Sequence, residues 1–263
     1  MAEAFKPIVM EFQLWRNATV LVSIDNIKFL VDPMLGEQSS FGAFPYTEDP
    51  RANPLVDLPF SGKELKKQLQ KLDAVVVTHL HPDHWDAAAV ELLDKNLTII
   101  CPDIIAKTMV AYGFTKVIPV TSSIHFKGIE IVLTEGKHGT GAIEEKMGVV
   151  NGFVFLSKNE SIYFAGDTIW CDAVKSSIRT YQPRYVVVAG GAATFAIGEP
   201  VTMSVEHLKS LAATFPEITI IITHLEAVSP CTEDREFIRE KLIKKGISGS
   251  YYLPKDGEHL NLN

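Results

Sequence analysis

Two runs of β-branched residues, VVVTHL at Val75–Leu80 and IIITHL at Ile220–Leu225, constrain this chain more than any other feature. Each reads as a buried strand that stops on Thr-His-Leu, and they lie in opposite halves of the sequence. Open α/β folds bring their ligands to the carboxyl ends of such strands, so the echo sets a histidine at that rim twice. Around the first run, strand and helix text alternate: DAVVVTH, then helical WDAAAVELLDK, strand LTIICP, and helical DIIAKTMVAYG ending at Gly113. Upstream, TVLVSIDNIKFLVDP reads as two strands joined at Asp25-Asn26 and stopped by Asp32-Pro33. SGKELKKQLQKL reads as a helix opened by Ser61. The second half carries strand text in IHFKGIEIVLTEG, VVNGFVFLSKNESIYFAGD, YVVVAGG and ITIIITHL, with helices at SVEHLKSLAATF and over 232–245. Strand-first halves with later helices predict two packed sheets with helices outside, an α/β (α+β) fold of four layers. No linker divides the chain, so residues 1–263 read as a single domain.

In DAVVVTHLHPDHWDAAAVELL, His79, His81, Asp83 and His84 fall within six positions at the strand end. His79 and His81, two apart in extended backbone, project to one side. Pro82 turns the chain and aims Asp83 and His84 elsewhere. One histidine there would read as part of a solvated connection, with Asp83 or Asp86 capping the next helix. Four such residues reverse that balance, because neutral imidazole and carboxylate are the ligands that Zn²⁺, Mn²⁺ and Fe²⁺ accept.

VVVTHLHPDH resembles the H-x-H-x-D-H signature of the metallo-β-lactamase fold superfamily. That resemblance implies a four-layered αββα sandwich with a two-metal site at one edge of the sheets. It also implies three further ligands downstream, for which the chain offers His138 in EGKHG, Asp167 in YFAGDT and His224 in IIITHL. Carried over by position, His79, His81 and His138 hold one metal. Asp83, His84 and His224 hold the other, and Asp167 bridges the two. Closer likeness to the branch containing L-ascorbate-6-phosphate lactonase rests on WRNATVLV, FLVDPML, NPLVDLP, THLHPDHWD, YFAGDTIW and HLEAVSPC. Arg16-Asn17 departs from the Gly-His of many relatives. His81, where di-iron oxidoreductases of the superfamily carry Glu, argues against redox chemistry.

The function implied is hydrolysis of a small ester, lactone or phosphoester, anionic ones included, by a metal-bound hydroxide, with Asp83 as ligand and orienter and two divalent ions, first Zn²⁺, then Mn²⁺ or Fe²⁺, as cofactors. Competing readings are a nuclease or phosphodiesterase, and a metal-dependent binding or sensing protein without turnover. A net charge of −7 repels phosphate backbones and counts against nucleic acid as partner. Three scattered cysteines without a C-x-x-C pair suggest a reducing compartment, the cytoplasm. The start MAEAFKPIVMEF lacks the pattern of a secretory signal, and no apolar run suits a membrane span. The loop 36–62, with four prolines and four aromatics, is the candidate for substrate specificity or for a homo-oligomer seam. Arg16, Arg51 and Lys137 are the cations nearest in sequence for an anionic group. Trp85, Trp170, Glu226 and the GGAAT run at Gly190–Thr194 are weighed as pocket or supporting residues; His125, His207 and His259 are read as non-ligands.

Overall fold

The computed structural model describes residues 10–244 and 250–262. The first nine residues, on which part of the no-leader expectation rests, and Lys245, the expected end of the last helix, lie outside them. In chain order the first half forms β1 (Met10–Arg16), β2 (Thr19–Ile24), β3 (Ile27–Val31), α1 (Gly62–Leu69), β4 (Ala74–Val76), α2 (Ala87–Leu92), β5 (Thr98–Pro102), α3 (Asp103–Ala111) and β6 (Lys116–Val120). The second half forms β7 (Ser123–Phe126), β8 (Ile129–Glu135), α4 (Ala142–Met147), β9 (Asn151–Leu156), β10 (Ser161–Phe164), α5 (Asp172–Tyr181) and β11 (Tyr185–Ala189). It closes with α6 (Val205–Thr214), β12 (Thr219–Thr223), α7 (Arg235–Lys244), β13 (Ser250–Tyr252) and β14 (His259–Leu262).

The strands make two seven-stranded sheets, ordered β14-β1-β2-β3-β4-β5-β6 and β13-β12-β11-β10-β9-β8-β7. Each is antiparallel at one end and parallel at the other, with β3 to β6 and β10 to β13 parallel. The β2–β3 turn has both central residues at positive φ, Asp25 at 50° and Asn26 at 64°, as a two-residue hairpin of that sequence requires.

Side-chain alternation sorts the apolar residues into three layers of packing. Ala74 and Val76 of β4, with Tyr185 and Val187 of β11 and Ile221 of β12, face a core between the sheets that also holds Phe12, Phe29 and Phe155. Val75 faces outward under α1, α2 and α3, against Leu65, Ala89 and Met109. Val186, Ile220 and Ile222 face outward under α5, α6 and α7. Helix, sheet, sheet and helix follow one another, which is the αββα sandwich. Because the parallel strands are buried on both faces, their text is continuously apolar rather than alternating.

β4 is shorter than its text suggests. Asp32 takes over where it ends: its Oδ1 accepts the Thr78 N–H at 2.8 Å, so Thr78 leaves the ladder for a side-chain partner. No helix among the described residues is long and apolar enough to cross a membrane.

Candidate metal centre

The turn after β4 is drawn tight by the His81 carbonyl, which accepts the N–H groups of His84 and Trp85 at 2.9 Å each. From the other sheet, β12 delivers His224 in a left-handed conformation (φ 58°). β10 leads into Gly166, where φ is +70° and an added Cβ would lie 2.3 Å from the Asn151 carbonyl oxygen. Only glycine makes that turn, and it carries Asp167 into the site. His138 follows β8. The seven expected residues therefore converge, in two adjoining groups: His79, His81 and His138, and Asp83, His84, Asp167 and His224, with one ligand atom of each within 4.8 Å of the others in its group. All are buried except His81, which is half-buried.

Distances within and between the groups suit cation ligation. His79 Nε2 lies 3.0 Å from His81 Nδ1, His84 Nε2 3.1 Å from Asp167 Oδ1, and His224 Nε2 3.3 Å from Asp167 Oδ2. Donors around a tetrahedral Zn²⁺ with bonds near 2.0–2.1 Å stand roughly 3.3 Å apart. Asp167 Oδ2 also comes within 3.7 Å of His138 Nε2, so this one carboxylate reaches both groups.

In His79, His84, His138 and His224 the other ring nitrogen meets a protein partner. His79 Nδ1 meets Thr78 Oγ1 at 2.9 Å, and that hydroxyl donates to Asp32 Oδ2 at 2.8 Å, so the imidazole must be the donor. His84 Nδ1 meets Asp32 Oδ2 at 2.9 Å. His138 Nδ1 donates to the Val201 carbonyl at 2.9 Å. His224 Nδ1 lies 3.5 Å from Cys231 Sγ. Each Nε2 is thereby left facing the cluster, the orientation by which supporting hydrogen bonds prepare a histidine for a metal. His84 Nε2 and Asp167 Oδ1 are buried 3.1 Å apart, and neither forms a hydrogen bond. Two orphaned, facing donors are what a cation between them would satisfy. The residues fit a metal pair.

Electrostatically the groups differ. Burial pushes His79 well below its ordinary value, lowers His81, and brings His138 to about 4. Burial also opposes charge on His84, yet Asp167, Asp83 and Asp32 together outweigh it and raise this imidazole to about 10. Burial alone would raise Asp83, but His84 and His224 bring it down to about 2. Asp167 is likewise held well below the carboxylate range by the same two histidines.

The other candidate residues have partners of their own. Arg16 faces no pocket: it is fully buried, its guanidinium donating to the carbonyls of Val56, Met34 and Gly36 at 2.8–2.9 Å, a strap that holds the 36–62 loop. Arg51 pairs with Asp49 at 2.6 Å and Lys137 approaches Glu144 at 3.4 Å. Glu226 is taken by Arg235. Trp85 packs edge-on against Phe114 at 5.6 Å and Trp170 against Phe215 at 6.1 Å, both beneath helices. In the GGAAT run a Cβ on Gly191 would sit 2.6 Å from the His224 carbonyl oxygen, and Ala193 lines the cavity over the cluster. His207 caps α6 with Ser204.

Sequence reasoning missed the carboxylate that ties the centre together. Asp32, buried at φ 46°, serves Thr78 and His84 at once and, through Thr78, His79. Its position at the carboxyl end of β3, beside the H-x-H-x-D-H strand, was the available signal. Asn17, in sequence only a departure from many relatives, joins the same network: its Nδ2 lies 3.2 Å from the Asp83 carbonyl and 3.4 Å from Asp83 Oδ2, and its own carbonyl accepts the His224 N–H at 3.0 Å.

Residues 28–225 match the family described as Beta-lactamase superfamily domain. The UPF0173 protein YddR of Bacillus subtilis is 39% identical over 247 residues, which cover 92% of this chain and 96% of that one. Among solved structures, a possible metal-dependent hydrolase from Veillonella parvula superposes with a TM-score of 0.91 at 28% identity, covering 97% of this chain and 100% of that one. Isothiocyanate hydrolase from Delia radicum gut bacteria gives 0.89 at 32% identity, covering 96% and 99%. With its two-sheet sandwich and a matched segment spanning most of its length, the chain belongs to the metallo-β-lactamase superfamily.

Proposed function

We propose that the chain is a metal-dependent hydrolase in which His79, His81 and His138 hold one divalent cation, Asp83, His84 and His224 a second, and Asp167 both. The observation that carries this reading is the pinning of Nδ1 in His79, His84, His138 and His224, which leaves four Nε2 atoms turned into the cluster. An all-nitrogen and oxygen donor set suits Zn²⁺ first, and accepts Mn²⁺ or Fe²⁺. Such a pair, when bound, lowers the pKa of water toward about 7 and polarises a carbonyl or phosphoryl oxygen.

The chain's own residues supply the rest. Asp83 brings Oδ2 to 2.9 Å from His224 Nε2, close enough for both atoms to hold one cation, and its other oxygen would orient the attacking water and receive its proton. Asp32, Thr78 and Val201 keep the imidazoles in place, so little reorganises as charge develops. For a small ester or lactone, the water oxygen bonds to the acyl carbon, the carbon–oxygen bond breaks, and the alkoxide leaves with the transferred proton. A phosphoester follows the same course at phosphorus. Isothiocyanate hydrolysis is a second reading, favoured by the 32% identity to the enzyme so named. There water adds to the central carbon of R–N=C=S and the carbon–nitrogen bond breaks, giving an amine and carbonyl sulfide.

The test is a metal count and a substrate panel on the same preparation. Two equivalents of Zn²⁺ or Mn²⁺ per chain are expected, with turnover of an ester, lactone, phosphoester or isothiocyanate. Chelation and His79→Ala should abolish both together. Undiminished turnover in metal-free protein would refute the assignment, and a fully loaded chain inert to the whole panel would leave the binding or sensing reading in its place.

A further inference from the structure

The cavity over the two ligand groups selects what reaches them. It measures about 110 Å³, well below the ~300–1,000 Å³ of pockets for drug-sized ligands. Its floor is made of His81, Asp83, His138, Asp167 and His224. Its walls come from segments far apart in sequence: Phe44 and Tyr46 from the 36–62 loop, Met147 from α4, Phe195 and Val201 from the chain after β11, and Val228 from the chain after β12.

These walls are fastened to one another. The Ala196 N–H donates to the Tyr46 carbonyl at 2.7 Å, and the Leu55 N–H to the Ala227 carbonyl at 2.8 Å. Fully buried Asn53 accepts the Ser229 N–H at 2.9 Å and donates to the Ser229 hydroxyl at 3.2 Å. The loop of the first half is thus a built wall of the site.

Of the cations among the described residues, only Lys146 lines the cavity, and its ammonium rests 4.6 Å from the Tyr46 ring centroid. Arg16, Arg51 and Lys137 are bonded elsewhere. An anionic tail against these walls would give up hydration for aromatic and aliphatic carbon, whereas an apolar tail gains from the same burial. Cations on the floor would draw the reacting end of a substrate downward, so what the walls choose is its tail.

Resting on the hydrolase reading above, we propose that the site takes an uncharged substrate whose reacting carbon bears a short apolar tail, with Phe195 as a specificity-determining wall. Binding of matched chelating probes tests this without any need for turnover. Protein first shown to carry its Zn²⁺ is titrated by calorimetry with butyrohydroxamate and with succinic monohydroxamate, which has a similar chain ended by a carboxylate. A preparation that takes up no metal sinks the hydrolase reading itself; everything after loading bears on the cavity alone. The neutral probe is expected to bind tighter by about tenfold or more, and half-buried Phe195→Ala to shrink that preference. Equal affinities, or no binding of either probe to loaded protein, would overturn the proposal. So would a preference for the succinate probe that disappears in Lys146→Ala.

Discussion

The three-histidine group and the carboxylate-bearing group lie side by side at one rim, but they solve the burial problem differently. His79, His81 and His138 are imidazoles kept neutral by burial, with no carboxylate among them. Asp83, His84, Asp167 and His224 compensate one another, with His224 Nε2 at 2.9 Å from Asp83 and 3.3 Å from Asp167. The first group is a neutral hole lined with lone pairs. The second is a network of buried ion pairs, whose members are costly to unpair. A substitution should therefore read out differently according to the group it strikes.

The largest effect is expected where the contrast disappears. Asp167 reaches His84, His138 and His224, so Asp167→Ala should strip metal from both groups and lower turnover by at least the ~10²–10³-fold that loss of one charge-stabilising group costs in other enzymes. Metal analysis of the purified variant decides this; retention of two equivalents would mean that Asp167 joins nothing. Next comes the contrast itself, measured by urea unfolding of metal-free protein. His224→Ala leaves two buried carboxylates short of a partner and should destabilise by about 3–5 kcal/mol. His138→Ala orphans only the Val201 carbonyl and should cost about 1–3 kcal/mol. Equal losses would erase the distinction between the groups.

The seven clustered residues were legible because ligand chemistry restricts the residue types and strand ends restrict their places; Thr78-His79 and Thr223-His224 carried both signals. What supports them was not legible. The Val201 carbonyl that orients His138 is backbone, and any residue supplies one. Asn17, Asp32 and His224 all adopt positive φ, at 54°, 46° and 58°, a conformation uncommon for such residues and held here by surrounding contacts. In the fold, β6 hides behind Pro119, which argues against a strand until the sheet order shows it at an edge, where no ladder partner is lost. α5, by contrast, buries Val174, Ser177 and Ile178 on one face at helical spacing, a signal present in its text. α4 lies between Gly141 and Gly148 with only Ile143 buried.

A smaller and more even effect belongs to Asp32. Its Oδ2 holds His84 directly and His79 through Thr78, one histidine in each group. Asp32→Asn should weaken both metal affinities by about 10–100-fold, the usual cost of losing a partner behind a ligating histidine. Competition with a chromophoric chelator resolves the two binding steps, and a loss confined to one step would show that Thr78 positions His79 without Asp32.

Asn17 should sharpen the contrast with the smallest change. It touches Asp83 through its amide and His224 through its carbonyl, and neither partner belongs to the three-histidine group. The carbonyl contact survives any substitution that keeps the backbone in place, so Asn17→Ala isolates the amide, whose distance of 3.4 Å to Asp83 Oδ2 marks a weak bond. A weak bond to a carboxylate already beside His224 predicts a modest loss, about tenfold or less, in one binding step of the two. Asn17→Asp removes the same donor and sets a carboxylate beside Asp83, so it should weaken that step further while leaving the other as it was. Equal weakening of both steps in Asn17→Ala would instead mean that Asn17 acts on the rim as a whole, through the turn between β1 and β2, and that the two groups are mechanically one.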